Sequence, residues 1–199
     1  MTLPLLIGFT GRAGSGKTTA ADVLLRNHKN CLKMSFASPL KAAARELIAS
    51  VRPKEHPITP AEYLTSRDLK DAPIPFLADI TPRRLMQTLG TEWGRNTIHP
   101  DFWVVILAQK IERLLGHSYR QGTIRLQAVI DDVRFGNEAE MIRAYGGTIV
   151  RIERPDLPHV EAHASETLDF EADYTFVNDG TKESLEHWAL QTFPPAETS

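Results

Sequence analysis

Residues 11–18, GRAGSGKT, bring together the groups that phosphate chemistry needs, at the spacing it needs. Gly11, Gly16, Lys17 and Thr18 satisfy G-x-x-x-x-G-K-[ST] at every fixed position. Glycines let backbone N–H groups turn inward and approach a phosphate closely. Lys17 supplies a mobile positive charge for β- and γ-phosphates, and the Thr18 hydroxyl can ligate Mg²⁺. Ala13, Gly14, Ser15, Gly16, Lys17, Thr18 and Thr19 are therefore the expected ATP-binding residues.

A phosphate loop needs a metal partner. The run AVIDD, residues 128–132, is an apolar strand ending in acids, and either Asp131 or Asp132 could bond Mg²⁺ or its waters. Two adjacent acids at a strand end also read as a turn or a cap. Arg134 stands two residues beyond Asp132, so in extended chain it stays on the same side and could reach a phosphate; a surface ion pair is the plainer alternative. Phosphoryl transfer asks mainly for in-line positioning and positive charge on the equatorial oxygens. Cations outside the loop that could serve are Lys41, Arg67, Lys70, Arg83, Arg84, Arg95 and Arg134. An alcohol acceptor would call for a carboxylate base, whereas a phosphate acceptor would not. The richness in arginine favours a phosphate acceptor.

The elements that must hold these groups alternate. LLIGF predicts a strand before the loop, and 17–27 a helix after it, its positive dipole end aimed at the same phosphate. Residues 31–37 read as a second strand. Ser38-Pro39 reads as a cap and first-turn proline opening a helix over 40–48, which places Lys41 in the first turn at the edge where open α/β sheets bind ligands. Residues 53–80, with five prolines, read as a loop or flap with a short helix over 62–69. Thr81-Pro82 opens a further helix through RRLMQTLGTEWGR. There Arg83, Gln87 and Gly90 share one face, and Met86, Leu89 and Trp93 an apolar one. A helix over 102–115 carries Trp103, Leu107 and Ile111 at core spacing. Strands are expected over 124–130, 148–152 and 174–177, and helices over 137–145 and 182–193. Such alternation implies a parallel sheet covered on both faces, a three-layer α/β/α fold with five strands.

Length and composition bound the rest. A chain of 199 residues with a net charge of −2 reads as one domain with no global basic field for nucleic acid or an anionic surface. Cys31 is the only cysteine, which excludes an intrachain disulfide and fits a reducing cytoplasm. Residues 3–9 are too short and too poor in basic residues for a leader, and no apolar run reaches membrane-spanning length. His159 and His163 have helical ligand spacing but no third ligand, so zinc is not expected.

Several segments, in order, resemble the bacteriophage-type deoxynucleoside monophosphate kinases, a branch of the P-loop nucleoside monophosphate kinases. They are GRAGSGKTTAAD, SFASPLKAAA, RRLMQTLGTEWGR followed by DFWV, DDVRFGNEAEMIRAYGGTIVRIERP, HASE and VNDGT. The resemblance implies transfer of the ATP γ-phosphoryl group to a deoxynucleoside 5′-monophosphate, with Mg²⁺, in the cytoplasm, the host's if phage-encoded. It implies a single kinase domain over 1–195, with an acceptor-binding insertion at about 39–103 and a short lid at about 154–171. It makes Lys17, Asp132 and Arg134 catalytic, and pairs Thr18 with Asp132 on the metal, choosing against Asp131. It puts Lys41, Arg67, Arg83, Gln87, Gly90 and Trp103 at the acceptor, with Lys70 a rival to Arg67. A monomer and a homodimer both remain open. Two other readings stand beside it: a P-loop kinase for dephospho-coenzyme A, shikimate or phosphomevalonate, and a nucleotide-binding ATPase switch.

Overall fold

The computed structural model describes residues 5–29, 31–120, 127–157 and 169–195. They fall into two compact units: Met1–Ser35 with Leu107–Ser199, and Phe36–Ile106.

The first unit carries the sheet. Strands β1 (Leu5–Thr10), β2 (Cys31–Met34), β3 (Gln127–Ile130), β4 (Thr148–Glu153) and β5 (Tyr174–Val177) lie in the order β2-β3-β1-β4-β5. All four pairings are parallel: β1 sets Ile7 against Val129 and against Thr148, β2 pairs with β3, and β4 with β5. The central strand is apolar on both sides, with Leu6, Ile7 and Phe9 all buried, as a sheet covered on both faces requires. Helices α1 (Lys17–Asn27) and α7 (Lys182–Thr192) cover one face, packing Ala20, Val23, Leu24, Leu185 and Ala189 onto Phe9, Val150 and Ile152. Helix α6 (Gly136–Ala144) packs on β1 and β4. The glycines expected to stop α6 do so: the N–H of Gly147 donates to the carbonyl of Ile142. Thr181 caps α7 by accepting from the N–H of Ser184.

The second unit is helical. Helix α2 (Ala37–Val51) begins one residue before the expected Ser38 cap, with Phe36 at its N-cap position. Pro39 is tolerated inside the first turn because those N–H groups have no intrahelical partner to lose. Helix α3 spans Pro60–Thr65, earlier than expected, and is fixed by a reciprocal cap: the Thr59 hydroxyl accepts from the N–H of Glu62, and the Glu62 carboxylate accepts from the N–H of Thr59. Helix α4 is only Pro82–Gln87 and passes into a π-helix over Thr88–Ile98. Helix α5 follows at Phe102–Arg120, with residues up to Ile106 in this unit and those from Leu107 in the first.

One expectation is extended here and one changes in part. The proline-rich stretch 53–80 is a contributor to the core: Tyr63 and Ile74 are fully buried against Ala44, Ile48 and Leu85, with Ile58, Leu69, Phe76, Leu77 and Ile80 packed around them. The apolar face expected for Met86, Leu89 and Trp93 holds for Met86 and Leu89, which pack against this unit's core, but not for Trp93. The π-helical turn holds about 4.4 residues, so the side chains rotate relative to a 3.6-residue pattern. Gly90 and Gly94 turn inward while Trp93 is 44% exposed. Among the described residues no helix is long and apolar enough to cross a membrane.

Candidate active site

The loop after β1 has the backbone that its glycines predict. Gly11, Gly14 and Gly16 take φ values of 134°, 83° and 113°, a region that side-chain-bearing residues rarely adopt. Gly16 is also the N-cap of α1 and offers no side chain to cap it, which leaves the first N–H groups of the helix for a ligand. The Ser15 hydroxyl is buried and has no hydrogen-bond partner among the described residues. An orphaned buried hydroxyl inside a ring of backbone donors fits a phosphate oxygen. Lys17 Nζ donates to the carbonyls of Gly11 and Arg12, each at 2.7 Å, so its ammonium sits over the loop. Ala13 and Gly14 are exposed, Thr18 is exposed, and Thr19 is half-buried.

The paired acids at the end of β3 separate. Thr18 Oγ1 donates to Asp131 Oδ2 at 3.2 Å. Lys33, on β2, places its ammonium 2.9 Å from the same oxygen and 3.2 Å from Asp22. Burial alone would lower the Lys33 pKa; the hydrogen bonds and charges of Asp131 and then Asp22 outweigh it and raise the pKa. Asp132 accepts from the Ser35 hydroxyl at 2.7 Å. The carboxylate in contact with Thr18 is therefore that of Asp131, whereas the resemblance paired Thr18 with Asp132. An all-oxygen set of hydroxyl and carboxylates is the hard donor set that suits Mg²⁺. Arg134 is exposed, and the start of α6 behind it is tied down by the buried Glu138, whose carboxylate accepts from the N–H groups of Arg134 and Phe135.

In the second unit, Lys41 is exposed on α2 and Arg67 is exposed after α3. Arg83 opens α4, and its guanidinium is gripped by the Asp71 carboxylate. Gln87 ends α4, half-buried. Gly90 is buried in the π-helix, and its carbonyl accepts from Trp103 Nε1 at 2.8 Å. Trp103 is itself buried, with Phe102 edge-on to it. Gly94 leaves the space that the indole fills: an added Cβ would lie 2.6 Å from Trp103 Nε1. The expected lid at 154–171, with His159 and His163, falls largely outside the described residues.

A family model described as deoxynucleotide monophosphate kinase matches residues 59–188, about two thirds of the chain. The chain belongs to this family. A mimivirus protein named putative deoxynucleotide monophosphate kinase is 32% identical over 169 residues, covering 81% of this chain and 80% of that one. The deoxynucleoside-5′-monophosphate kinase of Escherichia phage T5 is 28% identical over 191 residues, covering 71% and 72%. The deoxynucleotide monophosphate kinase of Escherichia phage RB69 is 31% identical over 105 residues, covering 52% and 41%.

For a member of the deoxynucleotide monophosphate kinase family, the most informative residue that sequence reasoning passed over is Asn178. It follows β5, is buried, and its Nδ2 donates to the carbonyl of Ser15 at 2.8 Å. Its own N–H donates to the carbonyl of Glu153 at 2.7 Å. The loop is thus tied from below by the far edge of the sheet. The one signal for it was its place in VNDGT, directly after a strand.

Proposed function

We propose that this chain transfers the γ-phosphoryl group of ATP to a deoxynucleoside 5′-monophosphate, giving the diphosphate. The observation that carries the reading is the loop of residues 11–18: positive-φ glycines, an uncapped helix start and an unpartnered buried Ser15 hydroxyl, in a member of the deoxynucleotide monophosphate kinase family. Backbone N–H groups of residues 13–19 hold the donor phosphates. Lys17 leaves the carbonyls of Gly11 and Arg12 for the bridging and γ-phosphate oxygens, and Arg134 adds charge as the group transfers. Thr18, with Asp131 in contact and Asp132 next along the chain, would hold Mg²⁺, which supplies charge neutralisation between the phosphates.

For the acceptor we assign Lys41, Arg67 and Arg83 to the phosphate, and Gln87 and Gly90 to the nucleoside. Trp103 acts through its bond to the Gly90 carbonyl. An acceptor that is already a phosphate monoester is largely ionised near neutral pH and needs no general base. Relatives in phages favour a cytoplasmic location in an infected host. The test is a panel of dGMP, dTMP, dCMP, dephospho-coenzyme A and shikimate with MgATP, read by ADP release and product analysis. A deoxynucleoside diphosphate from at least one monophosphate is expected. ADP release that no acceptor stimulates would refute the reading in favour of an ATPase switch.

A further inference from the structure

Arg83 is engaged by a neighbour from its own unit. Asp71 grips it through two atoms: Nε faces Oδ1, and Nη2 donates to Oδ2 at 2.9 Å. This side-on fork is the geometry by which a guanidinium also takes two oxygens of a phosphate. The pair sits in the open, with side-chain exposures of 46% for Arg83 and 59% for Asp71. A dissolved anion can therefore reach the same edge. Arg83 holds the Asp71 carboxyl below the usual carboxylate range, so it is charged throughout the neutral region.

Asp71 is also kept close by a contact that does not involve its side chain. The N–H of Arg83 donates to the carbonyl of Lys70 at 2.9 Å. The same stretch is anchored by Leu69, Ile74 and Phe76 in the second unit's core. The carboxylate is thus tethered beside the guanidinium at high effective concentration.

We propose that Asp71 is an internal competitor for the acceptor's phosphate at Arg83, setting how tightly a monophosphate is held. The inference rests on the acceptor reading of Arg83 given above. A phosphomonoester dianion must open the Asp71–Arg83 fork to bind, and then meets the displaced carboxylate as a like charge nearby. Such a residue discriminates by charge: it weakens binding of every phosphorylated acceptor and leaves the nucleoside portion untouched.

The experiment uses Asp71→Asn, Asp71→Ser, Arg83→Ala and the double variant Asp71→Asn/Arg83→Ala, with saturating MgATP and the best acceptor among dGMP, dTMP and dCMP. Both Asp71 variants keep the backbone tie from Lys70, so urea midpoints close to wild type are expected. Each should lower the acceptor KM about two- to fivefold, the scale of an exposed ion pair. The ATP KM should stay constant, as should inhibition by the matching deoxynucleoside, which carries no phosphate. The gain should shrink as salt is raised and vanish on the Arg83→Ala background. An acceptor KM that is unchanged or raised in both Asp71 variants overturns the proposal, as does a gain that survives removal of Arg83. If Arg83→Ala leaves the acceptor KM unaltered, the acceptor reading of Arg83 fails first, and that outcome is distinct.

Discussion

Replacing Asn178 by alanine should loosen the phosphate loop without moving the chain that carries it. The side chain makes one buried hydrogen bond, 2.8 Å from Nδ2 to the Ser15 carbonyl. The variant keeps the backbone bond to Glu153 at 2.7 Å, so position 178 itself stays in register. What is lost is a neutral bond whose acceptor then stays buried and unpaired, a cost of about 1–3 kcal/mol. If about 2 kcal/mol of that falls on the ordered loop, nucleotide affinity drops roughly thirtyfold. Titration with a fluorescent ATP analogue measures the affinity, and urea unfolding measures the stability. Trp188, stacked on Phe176 with ring centroids 4.3 Å apart, reports unfolding of the same region. Asn178→Asp should be worse than alanine, because it sets one acceptor oxygen against another. An ATP affinity and a urea midpoint both unchanged in Asn178→Ala would refute the argument that this bond orders the loop.

Lys17→Ala should remove most kinase activity in the acceptor assay while leaving the urea midpoint near wild type, since its described bonds go to loop carbonyls on a part-buried surface. Gly94→Ala should cost about 1–3 kcal/mol by forcing a methyl into the Trp103 indole, seen as a lower thermal midpoint and a shifted tryptophan emission. Burial, opposed weakly by a backbone bond at Leu32, pushes the Cys31 thiol from its ordinary 9.0 up to about 11. Folding thus favours the neutral thiol: its contribution to stability is complete below pH 9.0 and fades as pH rises through about 11. Iodoacetamide should therefore label native Cys31 slowly at pH 8, faster as pH approaches 11, and readily in denaturant.

The donor half of the candidate site was legible because its residues are contiguous. Residues 11–18 carry glycine, lysine and hydroxyl at fixed spacing, and strand and helix follow from the flanking apolar pattern. The cap at Thr81-Pro82 was legible for the same reason, whereas the equal signal Thr59-Pro60-x-Glu62 was masked by the prolines around it. The π-helix was not legible: the apolar pattern of residues 85–93 fits a regular helix, and the change of period shows only in where Gly90, Trp93 and Gly94 end up. The buried role of Tyr63 and Ile74 was hidden because residues 53–80 have no repeating apolar pattern. Ties between distant residues leave no trace in local sequence, and Asn178, 163 positions from Ser15, is the plainest case. Asp131 and Asp132 are adjacent in sequence yet meet different neighbours, Thr18 and Lys33 for the one and Ser35 for the other.

The strand order has a consequence for how this chain is made. β1 emerges from the ribosome first among the strands, yet its two neighbours are β3 and β4, beginning at Gln127 and Thr148. During translation the greasy ribbon of Leu6, Ile7 and Phe9 must wait, unzipped on both sides, while the whole helical unit is synthesised after it. A nascent chain stalled before β3 would therefore be sticky and unable to grip nucleotide, and competence would arrive late, once Asn178 has left the exit tunnel.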